Sequence, residues 1–127
     1  CRTLSLKRDT ISTITEGMRQ ACSDGGTGYP LFNFKVNSTY VPIACKTGTA
    51  EFGRVNSSGK SETHAWFTAF APLPAVALAK AGTEELDRTT ITGDPEISVT
   101  VLVEGAGEGS EIAAPVAKKI FEAWFSR

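Results

Sequence analysis

The sequence predicts an α+β fold in which helices pack on an antiparallel β-sheet. Apolar residues recur at spacings of three and four near both ends of the chain, a period typical of helices that bury one face. Between them, Ile97–Val103 alternates with period two, as a strand with one buried face does. A Ser-, Asn- and Gly-rich segment over 53–62 separates two further apolar runs, which indicates a hairpin loop.

The first helix is predicted over residues 9–22. Asp9 is a candidate N-cap, and a pair of glycines soon after the helix stops it. Gly17 within the helix costs about 1 kcal/mol relative to alanine, which points to close packing at that position. From 24 to 37 the chain is predicted to be a loop. The apolar face of the helix carries four residues: Ile11, Ile14, Met18 and Cys22.

Three strands and a second helix follow. The strands are predicted over 40–52, 63–71 and 97–103. We expect the second strand to be central and covered on both sides, because its apolar residues fall on both faces. Residues 73–95 are ambiguous: Ala75–Leu86 could form a short helix, and the remainder is typical of a surface excursion. The apolar residues of that second strand are Trp66, Phe67, Ala69 and Phe70.

The C-terminal helix is predicted over 112–125. A stripe at spacing four would face the sheet, with Phe121 on an adjacent row. Pro115 must lie in the first turn, where its missing N–H is not needed. A glycine-rich turn over 105–109 leads into the helix. The stripe comprises Ile112, Val116, Ile120 and Trp124.

Composition excludes several classes of function. The chain has 127 residues, with 13 Lys and Arg against 14 Asp and Glu and a formal charge of −1. That length suits one domain or part of one, and the even balance argues against a nucleic-acid surface. The longest uncharged run is broken by two prolines and is too short to span a membrane, and no apolar signal-peptide region opens the chain. We therefore expect a soluble chain with no membrane segment and no nucleic-acid partner.

The cysteines and the single histidine do not predict a metal site or a cofactor. Cys1, Cys22 and Cys45 lack the paired spacing of zinc ligands. An odd count leaves at least one thiol unpaired within a monomer. Free, buried thiols are the favoured interpretation, and a Cys1–Cys22 disulfide remains open for an extracytoplasmic protein.

The stretch Ala44–Glu51 contains the motif with the clearest chemistry. Lys46-Thr47-Gly48 on a strand brings together an ammonium, a hydroxyl and a backbone without a side chain. Hydroxyls of Thr47 and Thr49 can donate to a carboxylate, and Gly48 lets an extended ligand approach and pair with the strand. Taken alone, the tripeptide is equally typical of a polar turn at a strand end.

Taken with other blocks in order, the motif resembles the C-terminal part of a penicillin-binding protein transpeptidase domain, of the class B, elongation type. The resemblance covers nearly the whole chain and implies the fold that these enzymes share with serine β-lactamases. The resembling blocks are Glu16–Arg19, Gly26–Gly28, Ala44–Glu51, His64–Pro72, Ile97–Gly109 and Ala113–Pro115.

The resemblance implies an activity and residue roles. Such an enzyme acylates a serine with a D-Ala-D-Ala stem peptide, transfers the acyl group to a neighbouring peptide and is trapped by β-lactams. Thr47, Gly48 and Thr49 would bind the substrate, with both hydroxyls on its carboxylate. Lys46 would supply positive field and a proton relay, and the N–H of Thr49 one arm of the oxyanion hole. No cofactor is implied, and the protein would act outside the cytoplasmic membrane, anchored upstream.

The nucleophile of that family has no counterpart in this chain. Ser57-Ser58-Gly59-Lys60 satisfies S-x-x-K, yet it follows the lysine motif and lies in a predicted loop, so we interpret it as a coincidence. Ser23-Asp24-Gly25 is only superficially similar to the second family motif. We therefore expect the serine-bearing part of the domain to be absent from this chain and to be its partner upstream.

Cys45 departs from the family, which has glycine or alanine before the lysine. A small buried residue is the favoured interpretation, although an exposed thiol there could be reactive or pair with Cys22. His64 is expected to form a hydrogen bond with the backbone or to line the cleft. Glu51 and Arg54 either border a substrate groove or are charged residues at a strand end, in contact with solvent.

Three hypotheses remain open at this point. The first is the transpeptidase fragment, the second a non-catalytic binding or scaffold module of the same fold, and the third a relative of the β-lactamases.

Gly105, Gly107 and Gly109 do not complete a phosphate-binding G-x-G-x-x-G, because Ser110 stands at the last position and acidic residues surround the turn.

Overall fold

The computed structural model describes residues 5–53, 55, 57, 59–73 and 93–127, and the α+β prediction is confirmed. Among these residues, none of the helices has both the length and the apolar character that crossing a membrane requires. Single turns of 3-10 and π helix lie at Tyr29–Leu31 and Gly109–Ala113. The main elements are α1 (Arg8–Ala21), β1 (Lys35–Val36), β2 (Thr39–Tyr40), β3 (Ala44–Phe52), β4 (Glu62–Ala71), β5 (Ile97–Val103) and α2 (Ala114–Phe125).

The main sheet is antiparallel with the order β3-β4-β5 across the described part of the chain. Its register places Thr47 opposite Phe67 and Phe67 opposite Val101. The short strands β1 and β2 form a separate hairpin. Strand β4 is therefore central, and β3 and β5 each keep one edge without a strand partner among the described residues.

The two faces of β4 are covered unequally. Trp66 points away from the main core, to the second face of the sheet, and is 40% exposed. The prediction that β4 is covered on both faces therefore does not hold at Trp66. Cover on that face is found at the Ala71 end of the strand, where Phe70 and Met18 pack against Ala44 and Leu73. The first face holds the main core, and its β4 members are Ala65, Phe67, Ala69 and Ala71.

Helix α2 meets the core through small residues, which corrects the predicted stripe. Ala114, Ala117 and Phe121 are buried. The stripe expected to face the sheet points outward instead: Ile112, Val116 and Ile120 are 37%, 44% and 41% exposed, and Trp124 is half-buried. Alanines let the helix axis approach the sheet closely, and that close packing offsets the smaller area that each alanine buries.

Several boundaries differ from the sequence prediction. Helix α1 is preceded by Lys7 at the N-cap position, and Asp9 lies in its first turn. Strand β3 starts at Ala44 because Pro42 has no N–H with which to continue a ladder. The segment expected to be a loop over 24–37 contains the 3-10 turn and β1. The helix considered over Ala75–Leu86 lies outside the described residues.

Gly109 sets the entry of α2 onto the sheet. It begins the π-helical turn, and a Cβ built on it would overlap the carbonyl oxygen of Trp66 and lie 2.7 Å from that of Gly48. Pro115 follows in the first turn of α2, as the missing N–H requires. The chain can therefore cross the β3–β4 pair closely only with glycine at this position.

Replacing Gly109 with alanine should destabilise the protein by about 1–3 kcal/mol, because the added Cβ displaces backbone that cannot move without disturbing the sheet. The matched control is Gly17→Ala inside α1, where an added Cβ meets nothing within 4 Å beyond the neighbouring backbone of its own helix, so the close packing expected at Gly17 is not found. That control should stabilise by up to about 1 kcal/mol. Thermal unfolding of both variants measures the difference. Equal melting temperatures for Gly109→Ala and Gly17→Ala would contradict the requirement for glycine at position 109.

The isolated 127-residue chain should self-associate. Two surfaces favour association: the exposed apolar stripe on α2, and the edge of β5 that no strand of the described residues covers. Sedimentation velocity over a range of concentrations should show the association, and Val116→Lys with Ile120→Lys should reduce it. Thr10→Lys with Gln20→Lys on α1 adds the same charge as a control. A monomer at every concentration would be the opposite result.

Candidate active site

The lysine motif lies at the middle of β3, on the strand edge that has no partner among the described residues. Side chains alternate along a strand, so Lys46 and Gly48 point to one face and Thr47 and Thr49 to the other. Lys46 and Thr49 are exposed, and Thr47 is half-buried. The Lys46 ammonium donates to the carbonyl of Thr47. A ligand along this edge would have an ammonium on one side and two hydroxyls on the other.

Gly48 faces Trp66 across the β3–β4 pair. A Cβ on Gly48 would lie 3.1 Å from the Cβ of Trp66, closer than ordinary van der Waals contact. The glycine therefore leaves room for the indole as well as bare backbone on the strand. This second reason for glycine is a packing requirement that the motif alone does not indicate.

Thr27 lies beside the motif, although it is 20 residues away in sequence. The hydroxyl of Thr47 donates to the hydroxyl oxygen of Thr27 at 2.9 Å. Thr27 is exposed and stands in the turn that follows α1. The sequence analysis placed Thr27 in the resembling block Gly26–Gly28 but assigned it no role at the site.

A disulfide joins Cys22 to Cys45 and corrects the interpretation of the cysteines as free thiols. The two Cα atoms are 5.7 Å apart and the residues are 23 positions apart in sequence. Both cysteines are buried, Cys45 completely. The bond ties the residue that ends α1 to the residue before Lys46, so Cys45 is neither a reactive thiol nor a simple substitute for alanine.

The turn after α1 passes directly over this disulfide. A Cβ on Gly28 would overlap the sulfur of Cys45 and lie 2.9 Å from that of Cys22. The N–H of Gly28 donates to the carbonyl of Ala21 at 2.7 Å. Glycine is therefore required where the backbone crosses the sulfurs, and the crossing places Thr27 at the motif.

The last turns of α1 carry an ion pair. The Arg19 guanidinium donates to both oxygens of Glu16, at 2.9 and 2.8 Å, and the Gln20 amide adds a bond of 2.9 Å. Hydrogen bonding to Arg19 holds the pKa of Glu16 below its usual range. Burial raises the pKa of Tyr40 nearby. The Arg19–Glu16 pair lies in the last turns of α1, before the turn that carries Thr27.

His64 lies at the far end of the β3–β4 pair, opposite Ala50. Its ring stacks on Phe52 with centroids 3.8 Å apart, and its Nδ1 accepts the N–H of Gly105 at 3.2 Å. The expected bond to backbone is confirmed.

Within the described residues, no group of three or more His, Cys, Asp and Glu side chains could hold a metal ion.

The serine candidates are not brought to the motif. Ser57 is exposed in the loop between β3 and β4, whose described residues are not helical. The hydroxyl of Ser23 donates to the carbonyls of Arg19 and Gln20 at 3.1 and 3.0 Å, so it is used at the C-terminal end of α1. Glu51 is exposed near the end of β3, and Arg54 lies outside the described residues.

Residues 2–86 match the family model described as the penicillin-binding protein transpeptidase domain. The chain belongs to this family. The resemblance seen in the motifs is thereby confirmed, and the match extends over α1 and strands β1 to β4.

Relatives of this transpeptidase segment carry matching names. The peptidoglycan D,D-transpeptidase MrdA of Haemophilus influenzae is 31% identical over 111 residues, covering 80% of this chain and 14% of its own length. PbpA of Mycobacterium tuberculosis is 34% identical over 88 residues, 65% of this chain and 14% of its own. PbpA of Mycolicibacterium smegmatis is 35% identical over 83 residues, which cover 61% of this chain and 13% of the length of that protein. No solved structure matches the chain.

The segment thus spans about one seventh of the length of the curated relatives that it matches. In this part of a transpeptidase domain, the structure brings Lys46, Thr47, Gly48 and Thr49 together with Thr27 on one strand edge. It also reveals the disulfide beneath that edge, which spacing could not decide.

Replacing both Cys22 and Cys45 with alanine should lower the free energy of unfolding by about 3 kcal/mol, the loop-closure entropy of a ring of this length. Non-reducing peptide mapping should recover the two cysteines in one linked peptide. Cys1→Ser is the control and should leave that peptide and the melting temperature unchanged. Recovery of Cys22 and Cys45 as separate alkylated thiols would contradict the assignment.

Proposed function

We propose that this chain supplies the carboxylate-binding strand of the active site of a peptidoglycan D,D-transpeptidase. The observation that carries the proposal is the Lys46–Thr49 motif on the edge of β3 that has no strand partner among the described residues, in a chain that belongs to the transpeptidase domain family. The names of its relatives support the same activity. The upstream part of the longer protein would supply the nucleophilic serine.

The reaction assigns a task to each residue of the motif. The serine hydroxyl attacks the carbonyl between the two D-alanines, its proton passes to a base, and the terminal D-alanine leaves. An amine of a neighbouring stem peptide then takes the acyl group from the serine. Thr47 and Thr49 hold the terminal carboxylate, and Lys46 supplies positive field and a proton relay. The N–H of Thr49 stabilises the oxyanion, a donor worth about 3–4 kcal/mol of barrier.

The shape of the strand edge supports these roles. A substrate peptide bound along β3 can pair with its free backbone groups while Gly48 offers no side chain to obstruct it. The exposed ammonium of Lys46 then lies on one side of the ligand and the two hydroxyls on the other. The same geometry would receive a β-lactam, whose carboxylate takes the place of the peptide's.

The buried disulfide supports a location outside the cytoplasm. Disulfides form and persist in oxidising compartments and are rare in the cytosol. We infer that the protein acts on the outer side of the cytoplasmic membrane, where its peptidoglycan substrate lies. An anchor for that location would belong to the upstream part of the longer protein.

Incubation with a penicillin followed by intact-mass spectrometry tests the proposal. The 127-residue chain alone should form no stable adduct, since none of the serines that the structure describes lies on the motif strand beside Lys46. The longer protein with the upstream serine should gain one penicillin. An adduct mapped to a serine of this chain, Ser57 included, would overturn the proposal that the nucleophilic serine belongs to the upstream part of the longer protein.

Two variants of the longer protein test the residue roles. Lys46→Ala and Thr47→Val should each slow acylation about tenfold or more, since each removes a partner of a charged group. Lys35→Ala on β1 and Thr100→Val on β5 are matched controls away from the edge and should leave the rate unchanged. Full acylation rates for both motif variants would refute the assignment.

A further inference from the structure

The turn after α1 holds a hydroxyl that the motif does not include. Thr27 is exposed, and its hydroxyl oxygen is 2.9 Å from that of Thr47. No other described residue hydrogen-bonds to the Thr27 side chain. A threonine hydroxyl has one hydrogen to donate and two lone pairs, and it rotates to suit its partners. Thr27 therefore accepts from Thr47 and keeps its own hydrogen for a ligand at the strand edge.

The position of Thr27 is held by contacts other than this hydrogen bond. The disulfide fastens the start of the turn to β3. Further along the turn, the backbone passes over the disulfide at Gly28 and lies against both sulfurs. The amide of Gly28 is also bonded to α1. A covalent link and a close backbone contact thus place the hydroxyl before any ligand arrives, which is the preorganisation that a binding group needs.

We propose that Thr27 is a substrate-binding residue of the carboxylate site, acting beside Thr47. The proposal rests on the proposed function above. Hydroxyls 2.9 Å apart can each donate to one oxygen of the same carboxylate once both rotate toward it. The hydrogen of Thr27 then reaches the ligand beside that of Thr47, so the chain recognises a carboxylate with residues from two segments.

A purely structural role predicts a different outcome from a binding role. The bond between the two threonines is exposed, and such a bond contributes little to stability when a disulfide already fastens the turn. Loss of the Thr27 hydroxyl should therefore leave the melting temperature unchanged. It should weaken only those ligands that carry the carboxylate.

The test uses the longer protein with its serine and two probes, a penicillin and the methyl ester of the same penicillin. The measurement is the ratio of their second-order acylation rate constants. Thr27→Val keeps the shape of the side chain and removes the hydroxyl, and Thr27→Ala is a second variant without it. Both should lower the acid-to-ester ratio about tenfold, the value of one hydrogen bond to a charged group. Thr27→Ser should restore the ratio of the wild type.

The outcomes separate this inference from the proposed function. A wild-type protein that the penicillin does not acylate overturns both. Normal acylation of the wild type, with the same acid-to-ester ratio in Thr27→Val and Thr27→Ala, overturns only the role of Thr27. An equal fall in the two rate constants, with a lowered melting temperature, assigns Thr27 to structure and also overturns it. Thr100→Val is the control for loss of an exposed threonine hydroxyl elsewhere in the sheet.

Discussion

Close backbone approach around β3 is the constraint on which the site depends. Gly28 lies against the sulfurs of the disulfide, Gly48 lies opposite Trp66, and Gly109 lies over the β3–β4 pair. At each of these positions a Cβ would meet its neighbour at or inside contact distance. The strand is thereby held by the turn after α1, by β4 and by the entry to α2. The first of these contacts brings Thr27, 20 residues away in sequence, within hydrogen-bonding distance of Thr47.

The same strand serves the core and the site, because its side chains alternate. Cys45 is completely buried and bonded to Cys22, and the next residue, Lys46, is exposed. Anchoring the inward residue restricts the backbone that presents the outward one. A covalent bond placed one residue before the lysine is therefore a structural support for the proposed ligand site.

Local pattern was enough for much of the fold and for the motif. The alternation within Ile97–Val103 depends on neighbouring residues only, and in the structure its inward residues Val99 and Val101 are buried. The Lys46–Thr49 motif is contiguous, so its placement on a strand follows from the strand itself. The C-terminal stripe shows the limit of this reasoning: its spacing predicts a helix correctly, yet Ala117 and Phe121 are the residues that face the core. Periodicity identifies an apolar face but not which other face packs more closely.

By itself, the sequence determined the α+β class, the family and the chemical groups at the proposed site, because these depend on residue order within short segments. Only the tertiary structure decided the pairing of Cys22 with Cys45 and of Thr27 with Thr47, across 23 and 20 residues. Such contacts depend on how the turn after α1 crosses β3. That crossing requires a glycine over the disulfide, and no local pattern specifies which distant side chains it brings together.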